Sequence, residues 1–453
     1  MRIKLALLLF GIAGPVAATE EVPASWPPEG LTSMGAESAA SADGRIPAWT
    51  GGLEQIAAVD PVEGYQDPWS GDEPLYVISA TRLESHREFL SPAQLAMLEA
   101  RPEHFRMPVY PTRRSAGFPS EVDAAVADNA STARLEGPDG LRDAHTGPAF
   151  PEPENGLQAI WNHKTRYRGP GHVRYANIAI GNVLPAFLDQ RLDGGSHYGI
   201  GRVHEQVSYP YSNGGGLQPN RLRIELRTVL SGSANNGTLT LIHQSIDPAA
   251  DPGGVWVYSP GERRVRRLPE MGHDNTSLTE GLTLRDQKDM FSGPVAGHEW
   301  ELLGKREIYA PYNAYRLESK RLGPDDLMGR YTLNPEHLRY ERRRVWVVEA
   351  RAPEDSAHPF GRRTFYLDED SWHILLVDVY DREGRLIQLQ EAHLFHAADA
   401  MISLATVQTV YDLRRRPYVV HGLDNNEPVV RFDPEIRQAA SPGPGTLRRM
   451  GRR

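Results

Sequence analysis

From Gly169 to about Asp433 the chain alternates short β-forming runs with turn residues, and this grammar limits the fold more than any other feature. "LRIELRTVLSG", "GTLTLIHQSI", "GVWVYSPGERRVRRL", "RRRVWVVEAR" and "RTFYLDEDSWHILLVDVYDREGRLIQLQEAHL" are examples of these runs. Runs of this length, rich in β-branched and aromatic residues, predict an antiparallel meander, sandwich or barrel. No strand–helix–strand alternation of the dinucleotide-binding kind occurs, and no repeat of fixed period is found.

The run Trp372–Tyr380 carries a second constraint. Trp372, Ile374, Leu376 and Tyr380 fall on one face, interrupted by Asp378, and Leu375, Val377 and Val379 fall on the other. "RRVWVVEA" and "GVWVYSP" behave alike. A sheet with one face in water would alternate apolar with polar residues, so this sheet is covered on both sides or faces an apolar cavity. A two-layer hydrophobic core is the ordinary alternative and stays open. The flanking turns are expected in solvent. Asp368, Glu369, Asp370 and Ser371 form a polar turn whose side chains bond their own backbone, and "DREG" forms the next, with Gly384 free to take positive φ. The basic runs Arg263–Arg267, Arg342–Arg344 and Arg414–Arg416 read as solvated strand faces, or else as a patch for anionic lipid or an acidic partner.

Before the β region the chain changes character. Residues 1–18 read as a secretory signal: Arg2 and Lys4, an apolar run from Leu5 to Ile12, and small residues Val16 and Ala18 before Thr19. Residues 19–75 form a Pro/Gly-rich extended arm whose Trp26, Trp49 and Trp69 are expected to anchor it on the body. Residues 76–168 form a helical region. One helix starts at the Ser91, Pro92, Gln94 capping box, a second has Ser120 as cap with Asp123, and a third runs from about Leu157 to Tyr167. Residues 169–433 form the β domain, and residues 434–453 a disordered basic tail.

Composition excludes several function classes. There is no cysteine, so disulfides, thiolate chemistry and Cys-based zinc sites are ruled out. The net charge of −9 argues against general nucleic-acid binding. No stretch after the signal is long and apolar enough to predict a transmembrane helix. The periplasm of a Gram-negative bacterium is the expected compartment. Catalytic motifs are missing: there is no G-x-S-x-G, H-E-x-x-H or P-loop. "GIGRVH" has His204 where a dinucleotide loop needs its third Gly, and reads as a glycine-rich loop. "DEDSWH" puts His373 where a calcium loop needs Gly. No catalytic, cofactor-binding or metal-binding residue is assigned, and an enzyme is not expected; a hydrolase built on His163, His373 and Asp378 is the alternative to test.

Several stretches resemble known families. Gly237–Gly293, with "VWVYSPGERRVRRLP" and "DQKDMFSG", resembles outer-membrane lipoprotein-sorting proteins. The meander "FYLDEDSWHILLVDVYDREGRL" resembles that of the periplasmic lipoprotein carrier fold. From about Leu31 to Glu427 the chain resembles the bacterial family called domain of unknown function 1329, through "LTSMGAESAASADGRIPAWTGGL", "FRMPVYPTRRSAGFP", "NGLQAIWNHKTRYRG", "YAPYNAYRL", "RVWVVEA" and "RTFYLDEDSWHIL". Ser33 stands where Pro is expected.

The resemblance implies an α+β, mainly β fold: a large antiparallel incomplete barrel enclosing an apolar cavity, with helices as a lid. It also implies partnership with an RND-type exporter and an outer-membrane protein, and it brings no catalytic residues. Two binding readings follow, a carrier for an apolar small molecule or lipid and a ligand-free adaptor. For the carrier, Trp256, Tyr258, Val345, Val347, Leu375 and Val377 are the candidate cavity lining.

Overall fold

The computed structural model describes residues 26–56, 58–182, 197–213, 220–232, 235–268, 281–432 and 442–451. The expected signal peptide lies outside the described residues. The arm leads into a short hairpin of β1 (Tyr76–Ile78) and β2 (Met107–Val109), between which stands α1 (Pro92–Ala100). The capping box of α1 is present: the Ser91 hydroxyl accepts from the Gln94 N–H, and the Gln94 side chain accepts from the Ser91 N–H. Next come α2 (Ser120–Thr132), a small hairpin β3 (Arg134–Glu136) and β4 (Gly140–Arg142), and α3 (Gly156–Thr165), capped by Asn155. The expected Ser120 cap does not form. Pro119 takes the cap position without a side-chain bond, and the Asp123 carboxylate instead accepts from the Ser33 hydroxyl of the arm at 2.5 Å.

Two antiparallel meanders then share one sheet. The first is β5 (Gly171–Gly181), β6 (Tyr198–Ser208), β7 (Arg223–Ser231), β8 (Leu239–Gln244), β9 (Gly254–Ser259) and β10 (Arg264–Leu268). The second is β11 (Glu299–Pro311), β12 (Tyr340–Arg351), β13 (Phe360–Asp368), β14 (Ile374–Asp381), β15 (Leu386–Ala397), β16 (Ile402–Asp412) and β17 (Tyr418–Leu423). They join where β17 pairs with β5, from Tyr418 opposite Gly181 to Leu423 opposite Asn177, and β18 (Arg431–Phe432) adds to the other end of β5. The path therefore runs β12 through β17, then β5 through β10. β11 pairs with β12, and β12 also meets β2 in one parallel bridge. The sheet does not close: β10 pairs only with β9 among the described strands. The result is a large, mainly antiparallel incomplete barrel with few helices. "GIGRVH", read above as a loop, lies within strand β6.

Every residue of β14 is buried, so its doubly apolar pattern reports a sheet covered on both sides. Burying a large apolar side chain contributes roughly 1.5–3 kcal/mol, so this strand adds several such contributions to stability. Asp378 faces α1, accepting from Ser91 Oγ at 2.7 Å, the Ala93 N–H at 3.3 Å and Tyr366 OH at 3.0 Å. Its charge satisfies the exposed donors of a helix start inside the core. The arm is held by its tryptophans: Trp49 Nε1 donates to Ala116 O, and Trp69 packs edge-on against Tyr315.

Two expectations of exposure fail. Asp368, Glu369 and Asp370 are not a solvated turn; all three are buried. Asp368 accepts from Arg343 Nη2 (2.9 Å), Ser371 Oγ (2.7 Å) and Tyr312 OH (3.1 Å). Asp370 accepts from Arg343 Nη2 (2.6 Å) and Arg114 Nη2 (2.6 Å). Glu369 accepts from Arg344 Nε (2.6 Å), Lys305 Nζ (3.3 Å) and the Glu37 N–H (3.3 Å). For the same reason Arg343 and Arg344 are interior cations and not a solvated face, whereas Arg264, Arg266 and Arg414–Arg416 do lie in solvent. The basic tail also differs from expectation. Residues Pro444–Met450 form a helix, α4, whose Leu447 is fully buried against Trp256 and Tyr258 on the outer side of β8–β10. Its one apolar residue at the contact is enough to seat it, and Tyr258 OH donates to Gly451 O at 2.7 Å.

Candidate functional site

The inner face of β5–β9 leaves a cavity of about 310 Å³, roofed by residues 283–293 and bounded at the side by β16 and β17. Strand alternation sets what it presents. On β7, Arg223, Glu225, Arg227 and Val229 all point inward; on β5 it is His172, Arg174, Ala176 and Ile178. Register aligns them in rungs. His172, Val207, Glu225 and Ile242 make one rung, and Arg174, Glu205, Arg227, Thr240 and Val257 the next. Ala176, Val203 and Val229 make a third, continued by Ile178. The cavity thus has a charged end and an apolar end, together spanning about 20 Å of strand from Arg223 to Val229.

The charge is not balanced. Seven cationic side chains line the cavity against four carboxylates, in a chain whose net charge is −9. Lys288, from the roof, donates to both Glu205 (2.8 Å) and Glu225. Burial opposes ionisation of Glu225, and the cations of Lys288 and Arg223 outweigh it and hold the carboxyl below its usual range. Asp289 is handled in the same way by Arg166 and Arg168, and Arg168 also lies 4.2 Å over the Tyr209 ring. Arg174 is matched by Asp424 at 2.8 Å.

Arg223 and Arg227 are not matched. Arg223 is 5% exposed, its side chain forms no hydrogen bond among the described residues, and its nearest carboxylate oxygen there, on Glu225, is at 3.6 Å. Arg227 reaches only Glu205, at 4.0 Å. The histidines at the cavity are neutral at physiological pH: burial pulls His172 and His421 down to about 4.

None of the six residues expected from sequence is at this cavity. Val345, Val347, Leu375 and Val377 belong to the packed core of the β12–β15 half, and Trp256 and Tyr258 lie on the outer face under α4. Val257, between those two aromatics, is the residue of β9 that lines the cavity. The cue that was available in sequence is the alternation Arg223, Glu225, Arg227: charged residues on one face of a β run whose other face, Ile224 and Leu226, is apolar.

His163, His373 and Asp378 are not brought together as a catalytic group. His163 bonds backbone oxygens of Trp372 and Asp289, His373 lines the cavity, and Asp378 caps α1 on the other face of the sheet. Among the described residues no group of three or more His, Asp or Glu is placed to hold a metal ion. Among the described residues no helix is long and apolar enough to cross a membrane.

Fold and cavity define a class: an open, mainly β sheet with an internal chamber that is cationic at one end and apolar at the other. The chain belongs to the family described as protein of unknown function (DUF1329), whose profile matches residues 77–448. It is 35% identical over 433 residues to an uncharacterized protein of Pseudomonas aeruginosa, covering 94% of this chain and 92% of that one. The family match reaches further toward the C-terminus than the stretches recognised in sequence, and takes in most of α4.

Among solved structures, a DUF1329 family protein from Desulfovibrio piger is similar at 15% identity and a TM-score of 0.37, over 59% of this chain and 87% of that one. A putative outer membrane lipoprotein-sorting protein domain from Vibrio parahaemolyticus has 15% identity and a TM-score of 0.38, over 65% and 98%. A LolA superfamily protein from Nitrosomonas europaea has 13% identity and a TM-score of 0.33, over 60% and 91%.

Proposed function

We propose that this protein is a non-enzymatic carrier that encloses a hydrophobic small molecule or lipid and moves it through the periplasm toward the outer membrane. The observation that supports this is the chamber under β5–β9, whose volume falls in the range of about 300–1,000 Å³ found for small-molecule sites. An acyl chain loses about 0.8 kcal/mol per methylene exposed to water, so passage across an aqueous space requires enclosure. An RND-type exporter and an outer-membrane protein are proposed as partners on the family resemblance. The other half of the sheet is filled, which would suit a ligand-free adaptor, but a filled half beside an open one favours the carrier.

Native mass spectrometry of protein purified from the periplasm tests the reading. A bound molecule recovered also by solvent extraction is the expected result. An empty protein that takes up no apolar probe would sink it.

A further inference from the structure

The chamber is not uniformly apolar, and its unmatched cations say what kind of molecule it suits. A buried charge without a hydrogen-bonded partner is costly, and a fold retains one where something else completes it. Arg223 is such a charge: 5% exposed, facing the cavity, with no hydrogen bond and its Nε unpartnered. Arg227, two positions along the same face of β7, has only a 4.0 Å approach to Glu205. The local carboxylates are already engaged, since Lys288 bridges Glu205 and Glu225. The surplus is therefore positive, and guanidinium forks fit the paired oxygens of carboxylate or phosphate. From this end the strands lead to Val229 and to Ala176, Ile178 and Val203, and these last three cluster with Val410 and Val419.

We propose that the cavity takes an anionic amphiphile, with an oxyanion head group against Arg223 and Arg227 and a hydrocarbon tail in the Ala176, Ile178, Val203 and Val229 end. The proposal rests on the carrier reading above and specifies its cargo. The tail supplies burial energy, and the head completes the guanidiniums and sets the orientation. Lys288 remains with its two glutamates and serves as the positioning group that keeps them from competing for the arginines.

Calorimetric titration of the purified chain with alkyl probes of one length tests this: dodecanoate, dodecyl phosphate, dodecanol and dodecyltrimethylammonium, each below its micelle concentration. At least one anion is expected to bind about tenfold tighter than dodecanol, the scale of a charge-assisted bond inside a protein. In Arg223→Gln and in Arg227→Gln that advantage should fall to within about twofold of dodecanol on the same variant. Arg227 is the more exposed of the two, so its variant carries the test if Arg223→Gln does not fold. Preference for dodecanoate points to a fatty-acid-type cargo, and preference for dodecyl phosphate to a phospholipid-type cargo; both support the proposal. Equal binding of dodecanol and the anions, or an advantage that survives both substitutions, overturns the proposal and leaves the carrier reading standing. If no alkyl probe binds, the carrier reading itself fails.

Discussion

The two halves of the sheet both carry inward arginines, and they treat them in opposite ways. In the β12–β15 half, Arg343 and Arg344 meet Asp368, Glu369 and Asp370, with Arg114 and Lys305 completing the set. Each carboxylate takes at least two charge-assisted contacts, and the space around them is packed. Burial opposes ionisation of Asp370, but the two guanidiniums outweigh it and hold its carboxyl below the usual range. In the β5–β9 half, Arg223 and Arg227 face a cavity without a hydrogen bond to either. The same residue type is thus a structural rivet in one half and a cavity-facing cation in the other. Completeness of pairing, not burial or charge, distinguishes the two roles.

The sharpest way to break this contrast is to remove a rivet. Arg343→Ala leaves Asp368 and Asp370 buried with too few partners and should cost about 3–5 kcal/mol, read from urea denaturation. A loss under about 1 kcal/mol would show that the cluster does not act as a rivet.

A slightly smaller effect is expected at Asp378, which burial raises to about 6. Its folded pKa lies above the unfolded value of about 3.9, so its stabilising contribution is full below pH 4 and is lost as pH rises through 6. Asp378→Asn should remove that dependence. The stability difference between wild type and variant should change by about 3 kcal/mol between pH 4 and pH 7, in the direction that favours the variant at high pH. A difference that stays flat with pH would mean that folding does not shift the Asp378 carboxyl.

The chamber half is probed by filling it. Val257→Trp should weaken uptake of an alkyl probe about tenfold, near 1.4 kcal/mol, whereas Trp256→Ala, on the outer face, should leave it within about twofold. The reverse pattern would put the binding surface under α4. The smallest expected effect is on stability at Arg223. Arg223→Gln should stay within about 1 kcal/mol of wild type, because the side chain removed had no hydrogen bond to lose. A loss as large as that of Arg343→Ala would make Arg223 a rivet after all and erase the contrast.

Much of the fold was legible in sequence because it rests on local rules. Hairpin spacing, the Ser91–Gln94 box and the doubly apolar β14 run each depend on residues close together in the chain. The acidic turn was misread because its partners are remote. Arg114 lies 256 positions from Asp370, and Arg343 and Arg344, 25 positions from Asp368 and Glu369, sit in a basic run that read as a solvated face. The chamber lining was placed elsewhere for a related reason. A run apolar on both faces looks like a cavity wall, yet in β14 both faces are packed, while the wall that faces open space is the charged face of β7.

The sequence by itself determined the class of fold and its hairpin grammar, since alternation, turns and caps act over a few residues. It also determined which side chains share a face. Only the tertiary structure decided which faces meet one another, because charge pairing and packing depend on distances between separate segments, from 25 positions apart for Arg343 and Asp368 to 256 for Arg114 and Asp370. That is why the arginines of β12 are matched and those of β7 are not.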